Sequence, residues 1–384
     1  MSGEAFEVPL PKGFADRVVA WQRDQGRHGL PWQGTRDAYR IWLSEIMLQQ
    51  TQVSTVLRYY EPFLMRFPTV QDLAQAPVDE VLAAWSGLGY YSRARNLHRC
   101  AQAVLTDHAG VFPTQSAVLE SLPGIGRSTA AAVAAFSSGE RAAILDGNVK
   151  RVLTRVLGFG EDVARPQGQR RLWNLAESLL PQQGIEAYTQ GLMDLGATVC
   201  LQRRPQCGRC PVRSDCAAHA QGRMLDFPVK VRRVRRGVRS SVLGLFVSVG
   251  EGRALAPSDL AILMWRRPAK GVWAGLWSLP EWANEQDLER LSSGSDLPEP
   301  QRVPDVVHAL THLDWTLQPR RFELPATMAA SWARTLTQAF DEVQWVRLDE
   351  ALQRGLPAPV RRLIERETER ERGRPTGAGP DPDR

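Results

Sequence analysis

The 384-residue chain lacks any run of about 18 apolar residues, the length that a membrane-spanning helix needs. Its first residues also lack the basic and then apolar pattern of a secretory signal. These absences favour a cytoplasmic protein without a membrane partner. Cysteine is scarce too, because the chain has five, and four of them lie between Cys200 and Cys216. So few cysteines argue against a disulfide framework, and their clustering indicates another use.

A large excess of charge of one sign is also absent. The chain has 48 Lys and Arg residues against 42 Asp and Glu, a formal net charge of +6, and arginine supplies nearly all of the positive charge. Arginine suits bidentate contacts with phosphate, so a nucleic acid partner is compatible with this composition. A genome rich in arginine codons would give the same ratio. Composition therefore does not decide between the two explanations.

The spacing of apolar residues changes along the chain. From Phe14 to about Ala220 they recur at intervals of three and four, which is typical of helices, whereas Val242 to Val249 alternates as a strand does. Arginines crowd the stretch between these parts, and the last residues are charged and then rich in Pro and Gly. The pattern predicts an all-α domain over residues 1–225, a basic linker over 226–240, an α+β domain over 241–366 and a disordered tail over 367–384.

A glycine-containing hairpin stands in the middle of the helical part. Pro123, Gly124 and Gly126 form a turn in which both glycines permit positive φ and leave no Cβ in the way, and Ser128 opens the next helix. A helix N-terminus with exposed N–H groups binds phosphate readily. Downstream lies Asp146, with Asn148 predicted as the N-cap of the following helix. A phosphate cradle followed by a carboxylate indicates chemistry on a nucleic acid backbone or sugar.

Four cysteines form a compact group with the spacing Cys-x6-Cys-x2-Cys-x5-Cys. They are Cys200, Cys207, Cys210 and Cys216. Packing would not require so many thiols in one loop, so the group predicts a metal site. Zinc and a 4Fe-4S cluster both accept four thiolates, and the spacing alone does not choose between them.

The hairpin, the aspartate and the cysteine spacing together resemble the helix-hairpin-helix DNA glycosylases that carry an iron-sulfur cluster. The segment from Trp42 to Val53 resembles the adenine-excising, MutY-type branch of that family. The resemblance implies a 4Fe-4S cluster on the four cysteines, a monomer, and duplex DNA with adenine opposite 8-oxoguanine or guanine as substrate. It also implies that Glu45 is the acid that protonates adenine, while Asp146 stays ionised and stabilises an oxocarbenium-like transition state.

Ser128 occupies the place where relatives that also cleave the strand carry a nucleophilic lysine. A hydroxyl there predicts a monofunctional glycosylase, in which water completes the hydrolysis. Lys150 lies near in sequence and is a candidate for trapping the ring-opened sugar at low yield.

Flipping a base out of a duplex requires side chains that fill the gap and a pocket that receives the base. By resemblance, Tyr90 intercalates beside the lesion, Gln50 inserts from the other side, Leu88 supports the wedge and Trp32 walls the adenine pocket.

The second domain resembles the Nudix fold, used in this branch to verify 8-oxoguanine. The acidic helix of the hydrolases does not follow Gly275 to Trp282, so binding without hydrolysis is expected. Thr311 and His312 correspond to the recognition loop of the family, although Leu310 replaces its aromatic residue and threonine replaces its serine.

Two other functions are compatible with parts of the chain. One is a glycosylase and lyase for oxidised pyrimidines, against which Ser128, Glu45 and the second domain argue. The other is a non-catalytic DNA-binding protein whose cluster senses redox state. Two carboxylates would repel phosphates in such a binder, so Glu45 and Asp146 disfavour it.

Overall fold

The computed structural model describes residues 10–229, 236–249, 260–292, 297–337 and 339–372. Its contacts divide the chain into two compact units. The first comprises Met1–Gln75 and Asn96–Arg233, and the second comprises Ala76–Arg95 and Val234–Arg384. Residues 76–95 therefore belong with the C-terminal unit, although they lie within the helical part of the sequence.

Among the described residues up to 229, helices are the only regular elements, as the apolar spacing predicts. In chain order the α-helices are α1 (Phe14–Gln25), α2 (Ala38–Leu48), α3 (Val53–Val56), α4 (Tyr60–Arg66), α5 (Val70–Gln75), α6 (Val78–Ala84), α7 (Ser92–Asp107), α8 (Ser116–Glu120), α9 (Arg127–Ser138), α10 (Gly147–Val156), α11 (Pro166–Ser178), α12 (Ile185–Asp194) and α13 (Ala217–Ala220). A π-type turn, Leu195–Val199, extends α12 as far as Cys200. None of the helices in the described part of the chain has the length and apolar character needed to cross a bilayer.

The apolar faces of α1, α9, α10, α11 and α12 form the core of the first unit. Residues of α10 at intervals of three and four, such as Val149, Val152 and Val156, are buried there. α1 and α12 approach each other closely at Gly191, where a Cβ would stand 2.8 Å from Cγ1 of Val18. This close packing fixes the orientation of α12 against α1. One side of α12 carries residues that line a cavity described below.

The second unit contains a mixed sheet and four further helices. Its strands are β1 (Gly237–Val249), β2 (Ala261–Arg266), β3 (Trp277–Ser278), β4 (Glu281–Trp282), β5 (Gln301–Arg302), β6 (Val306–Ala309), β7 (Leu313–Pro325) and β8 (Val343–Arg347). Its helices are α14 (Glu285–Ser292), α15 (Ala326–Leu336), α16 (Leu348–Ala351) and α17 (Ala358–Arg372). β1 runs parallel to β7 along its whole length, and β6 forms an antiparallel hairpin with β7. Alternate residues of β1 enter two apolar clusters, one on each face of the sheet, which explains the alternation in the sequence.

Two predicted boundaries require correction. β1 begins at Gly237, so residues 237–240 belong to the sheet and not to the linker. Residues 230–235 of the linker lie outside the described residues. At the other end α17 continues to Arg372, and Glu367, which is 4% exposed, accepts a hydrogen bond from the buried Arg321. Residues 367–372 are therefore helical, and residues 373–384 lie outside the described part.

Candidate active site

Glu45 lies on α2, whose start is set by an N-cap. The Asp37 carboxylate accepts hydrogen bonds from the backbone N–H groups of Tyr39 at 2.9 Å and Arg40 at 3.3 Å. The apolar side of the helix packs into the core, where Trp42 is completely buried. Glu45 lies at the edge of this side and lines an open cavity of about 1340 Å³. Burial, and to a smaller extent the negative charge of Asp146, raise its pKa to about 7.

The cavity beside Glu45 is walled by the loop between α1 and α2. Trp32 lines it, is 8% exposed, and packs edge-on against Tyr60 with ring centroids 5.4 Å apart. Asp194, completely buried at the end of α12, accepts hydrogen bonds from the backbone N–H of Arg27 at 2.8 Å and from its Nε at 2.6 Å. The start of the loop that contains Trp32 is thus anchored at Arg27 by a carboxylate that sequence reasoning did not identify.

Asp146 is the N-cap of α10, a position that the sequence pattern assigned to Asn148. Its carboxylate accepts a hydrogen bond from the backbone N–H of Val149 at 2.7 Å. Burial raises the pKa of Asp146, while hydrogen bonds from Val149 and Asn148 and the charges of Arg151 and Lys150 oppose that rise. Because its charge acts on Glu45, the two predicted catalytic carboxylates lie within electrostatic reach of each other.

The two glycines of the hairpin play different parts. Gly124 has φ 78°, and a Cβ there would stand 2.5 Å from Cβ of Asn96, so a larger residue is excluded. Gly126 is the N-cap of α9 with φ −95°, so it does not use the positive φ that a glycine permits. Among the described residues, no atom lies within 4 Å of a Cβ placed on Gly126, so there is free space beside the N-terminus of α9.

Ser128 uses its hydroxyl within the protein. Its Oγ accepts a hydrogen bond of 2.9 Å from the backbone N–H of Leu145, the residue directly before Asp146. Lys150 is partly exposed on the first turn of α10, and its backbone N–H donates to the carbonyl of Asp146 at 2.8 Å. Ser128, at the position predicted to carry a lysine in strand-cleaving relatives, thus supports the backbone segment that leads into Asp146.

The four cysteines of the predicted metal site line one cavity of about 420 Å³. Most of the other lining residues are apolar, and Arg155, which is 2% exposed, donates to Sγ of Cys200 at 3.3 Å. In the described ranges, no three His, Cys, Asp or Glu side chains lie close enough together to hold a single metal ion. Four thiols that line one cavity, with a guanidinium against one of them, have the chemistry that an anionic cluster requires.

The residues predicted to enter the duplex have unusual backbone conformations. Gln50 has φ 55° and Tyr90 has φ 48°, a region that few residues other than glycine adopt. Tyr90 is 45% exposed, and the guanidinium of Arg93 lies 5.5 Å from its ring centroid. Leu88 is 5% exposed and therefore packs inside the second unit, in agreement with a supporting role only. Strain of this kind concentrates at functional positions.

The predicted recognition loop is the turn of the β6–β7 hairpin, where both Thr311 and His312 are exposed. Oγ1 of Thr311 lies 2.9 Å from the hydroxyl oxygen of Tyr90.

Elsewhere in this unit, the side chain of Glu281 is 4% exposed and pairs with Arg239 at 2.8 Å and Arg267 at 2.5 Å. These two ion pairs neutralise the Glu281 carboxylate within the second unit.

Two domain families match this chain. A model of the HhH-GPD superfamily of base excision DNA repair proteins matches residues 43–178, and a NUDIX domain model matches residues 254–366. Adenine DNA glycosylase from Buchnera aphidicola (subsp. Acyrthosiphon pisum) is 30% identical over 357 residues, which are 92% of this chain and 97% of that protein. The human protein of the same name is 34% identical, with 86% of this chain and 71% of that protein covered. Among solved structures, a thermostable thymine-DNA glycosylase is 29% identical and has a TM-score of 0.49, with 55% of this chain and 96% of that chain covered.

Proposed function

Because the chain belongs to the adenine DNA glycosylases, enzymes of base excision repair, we propose that it hydrolyses the glycosidic bond of adenine mispaired with 8-oxoguanine or guanine. The observation that carries this proposal is the pair Glu45 and Asp146. One carboxylate lines an open cavity and has a pKa raised to about 7, and the other caps a helix among hydrogen-bond donors and cationic charges. Two carboxylates in different environments are what acid catalysis with a counter-charge requires.

Glu45 acts as the acid in this proposal. Adenine leaves more easily once a proton has been placed on N7, and a carboxyl group with a pKa of about 7 keeps roughly half of its molecules protonated at neutral pH, far more than an ordinary glutamate does. The cavity beside it receives the extruded base, with Trp32 as one wall. The proton therefore moves from the Glu45 carboxyl to the base as the glycosidic bond breaks.

Asp146 faces the sugar in this proposal. An ionised carboxylate stabilises the positive charge that develops on the sugar as the base leaves, and its cap bond to Val149 holds it in place. Water then attacks the sugar carbon. The Ser128 hydroxyl offers no amine at the lyase position, so the strand remains intact and Lys150 captures little of the ring-opened sugar.

The contact between Tyr90 and Thr311 supports the proposed verification of 8-oxoguanine. It links the exposed ring of the candidate wedge to the exposed tip of the β6–β7 hairpin. Tyr90 would stack beside the lesion while the Thr311 hydroxyl and the His312 ring contact its edge. Gln50 would insert from its own strained turn, and the N–H groups after Gly126 would hold a backbone phosphate.

Cys200, Cys207, Cys210 and Cys216 would hold a 4Fe-4S cluster in the cavity that they line. When bound, the cluster supplies four metal–thiolate bonds that close the loop from Cys200 to Cys216. The loop arginines Arg203, Arg204 and Arg209 are exposed and would face phosphates. A brown protein with a broad visible absorption band is expected, and a colourless protein that contains zinc would contradict the assignment.

The decisive assay uses a duplex with adenine opposite 8-oxoguanine, scored for abasic sites before and after alkali. We expect base release by a protein that elutes as a monomer, with strand breaks only after alkali. Without base release the proposed reaction is wrong, and breaks before alkali would contradict the monofunctional mechanism. Glu45→Gln should abolish release but keep DNA binding, whereas retained turnover would remove Glu45 from the acid role.

A further inference from the structure

The cavity beside Glu45 contains a second buried polar side chain that sequence reasoning missed. Gln22 lines this cavity from α1 and is 7% exposed. Val18, one turn earlier on the same face, is completely buried, so Gln22 occupies a position that packing would give to an apolar residue. A polar residue at a position where the helical spacing predicts an apolar one is the sequence signal that could have identified Gln22. Burying an amide costs free energy unless a hydrogen-bond partner is supplied.

Three glutamines line the cavity, and two of them are already engaged. The Gln33 amide accepts from the backbone N–H of Leu30 at 3.0 Å, and its nitrogen donates to the carbonyl of Arg27 at 3.1 Å. The Gln190 nitrogen donates to the buried Asp194 at 2.8 Å. Within the described part of the chain, the side chain of Gln22 has no such hydrogen bond.

The amide of Gln22 is held at the cavity by its surroundings. α12 closes the other side of the residue at Gly191, where a Cβ would stand 3.1 Å from Cβ of Gln22. The backbone of Gln22 is also fixed, because its carbonyl accepts a hydrogen bond from Gly26 at 2.9 Å. The stem of Gln22 is therefore fixed while its amide, which is not closed off by protein atoms, remains available at the wall of the open cavity to bind a ligand.

We propose that Gln22 hydrogen-bonds the base extruded into this cavity and makes the site specific for the amino-substituted edge of adenine. The proposal rests on the proposed glycosylase function. A carboxamide presents a donor and an acceptor side by side, which match a ring nitrogen and the exocyclic amine of adenine. Gln22 therefore reads the Watson–Crick edge, with its oxygen accepting from the amine and its nitrogen donating to N1, and Glu45 reaches N7.

Gln22→Leu tests this assignment by single-turnover excision. The substrates are duplexes with adenine or with unsubstituted purine opposite 8-oxoguanine. The variant loses two hydrogen bonds to adenine, one to the amine and one to N1, and should release it about 25-fold more slowly. Purine lacks the amine and loses only the bond to N1, so its release should slow about fivefold. Equal losses on the two bases, or no loss on adenine, would overturn the proposal.

Gln25→Leu is the matched control, because Gln25 lies on the same helix, is exposed and contacts Asp24. It should change neither rate. Gln22→Leu should also keep the midpoint of thermal unfolding close to that of the wild type, because it breaks no hydrogen bond within the protein. If leucine prevents folding, Gln22→Met preserves the length of the side chain and is held to the same pair of rates. A wild-type protein that releases no adenine would instead refute the proposed function itself.

Discussion

The raised pKa of Glu45 makes the proposed reaction depend on pH in one direction. An acid catalyst works only while it is protonated, so the single-turnover rate should be highest below the pKa of about 7. Above it the rate should fall about tenfold per pH unit. A rate profile of adenine release between pH 5 and pH 9 checks this. A rate that rises through pH 7 would show that Glu45 acts as a base.

The same pKa shift predicts an effect on stability. Folding raises the pKa of Glu45, so its protonated form is favoured in the folded protein, and wild-type stability is lost as the pH rises through 7. Glutamine cannot ionise and avoids that loss. Glu45→Gln should therefore gain about 2–3 kcal/mol relative to wild type at pH 8 and clearly less at pH 5. Denaturant unfolding at both pH values measures the difference, and a gain that does not depend on pH would exclude a buried charge as its cause.

Tyr90 and Thr311 should act as a pair in lesion recognition. Tyr90→Phe and Thr311→Val each remove one hydroxyl of their 2.9 Å contact. If the contact positions the wedge, each variant should lower the preference for adenine opposite 8-oxoguanine over adenine opposite guanine by about fivefold. The double variant should be no worse than either single one, because the interaction is already lost. Fully additive losses would mean that the two hydroxyls act separately.

At the scale of elements, Asp146 combines a helix cap with a proposed charge, and two substitutions separate these roles. Asp146→Asn keeps an N-cap oxygen for Val149, so unfolding should change by less than about 0.5 kcal/mol, while Asp146→Ala should cost about 1 kcal/mol. Both variants lack the carboxylate, and base release should fall by at least about 100-fold in each. An active Asp146→Asn protein would reduce Asp146 to a structural cap.

α10 also carries the arginine that ties down the cysteine loop. Besides Cys200, Arg155 donates to the carbonyls of Leu201 at 2.8 Å and Gln202 at 3.0 Å. Arg155→Met would leave these partly buried acceptors without this donor, with an expected loss of about 2 kcal/mol in stability and reduced visible absorption of the cluster. Arg165→Met is the control, because the Arg165 side chain is 74% exposed and its loss should change neither measurement.

Elements with local signals were predictable from the sequence. The spacing of three and four placed the helices, alternation placed β1, and the cysteine run and the turn after Pro123 are short, contiguous motifs. The support of the site was not predictable in the same way. Asp194 and Arg27 are separated by 167 residues, and no local pattern pairs them. Gly126 shows a further limit, because a glycine permits a positive φ but does not require one.

The two units of the whole chain do not follow its order in sequence. Residues 76–95 belong to the C-terminal unit, and their partners there are distant in sequence. Asp79 pairs with Arg266 at 2.8 Å, Arg95 donates to the carbonyl of Ala274 at 2.6 Å, and the Tyr91 hydroxyl donates to the carbonyl of Leu356 at 2.5 Å. The candidate wedge residue Tyr90 is thus held by the unit that carries the recognition hairpin.

Tyr91→Phe tests whether residues 76–95 unfold together with the second unit. Removing the hydroxyl leaves the buried Leu356 carbonyl without this donor, at a cost of about 1–2 kcal/mol. Amide hydrogen exchange should then accelerate in residues 76–95 and in residues 354–358 together, because they open as one cooperative unit. Exchange in α9 of the first unit should remain as in wild type. Acceleration in α9 without change in residues 354–358 would mean that residues 76–95 depend on the helical unit for their stability.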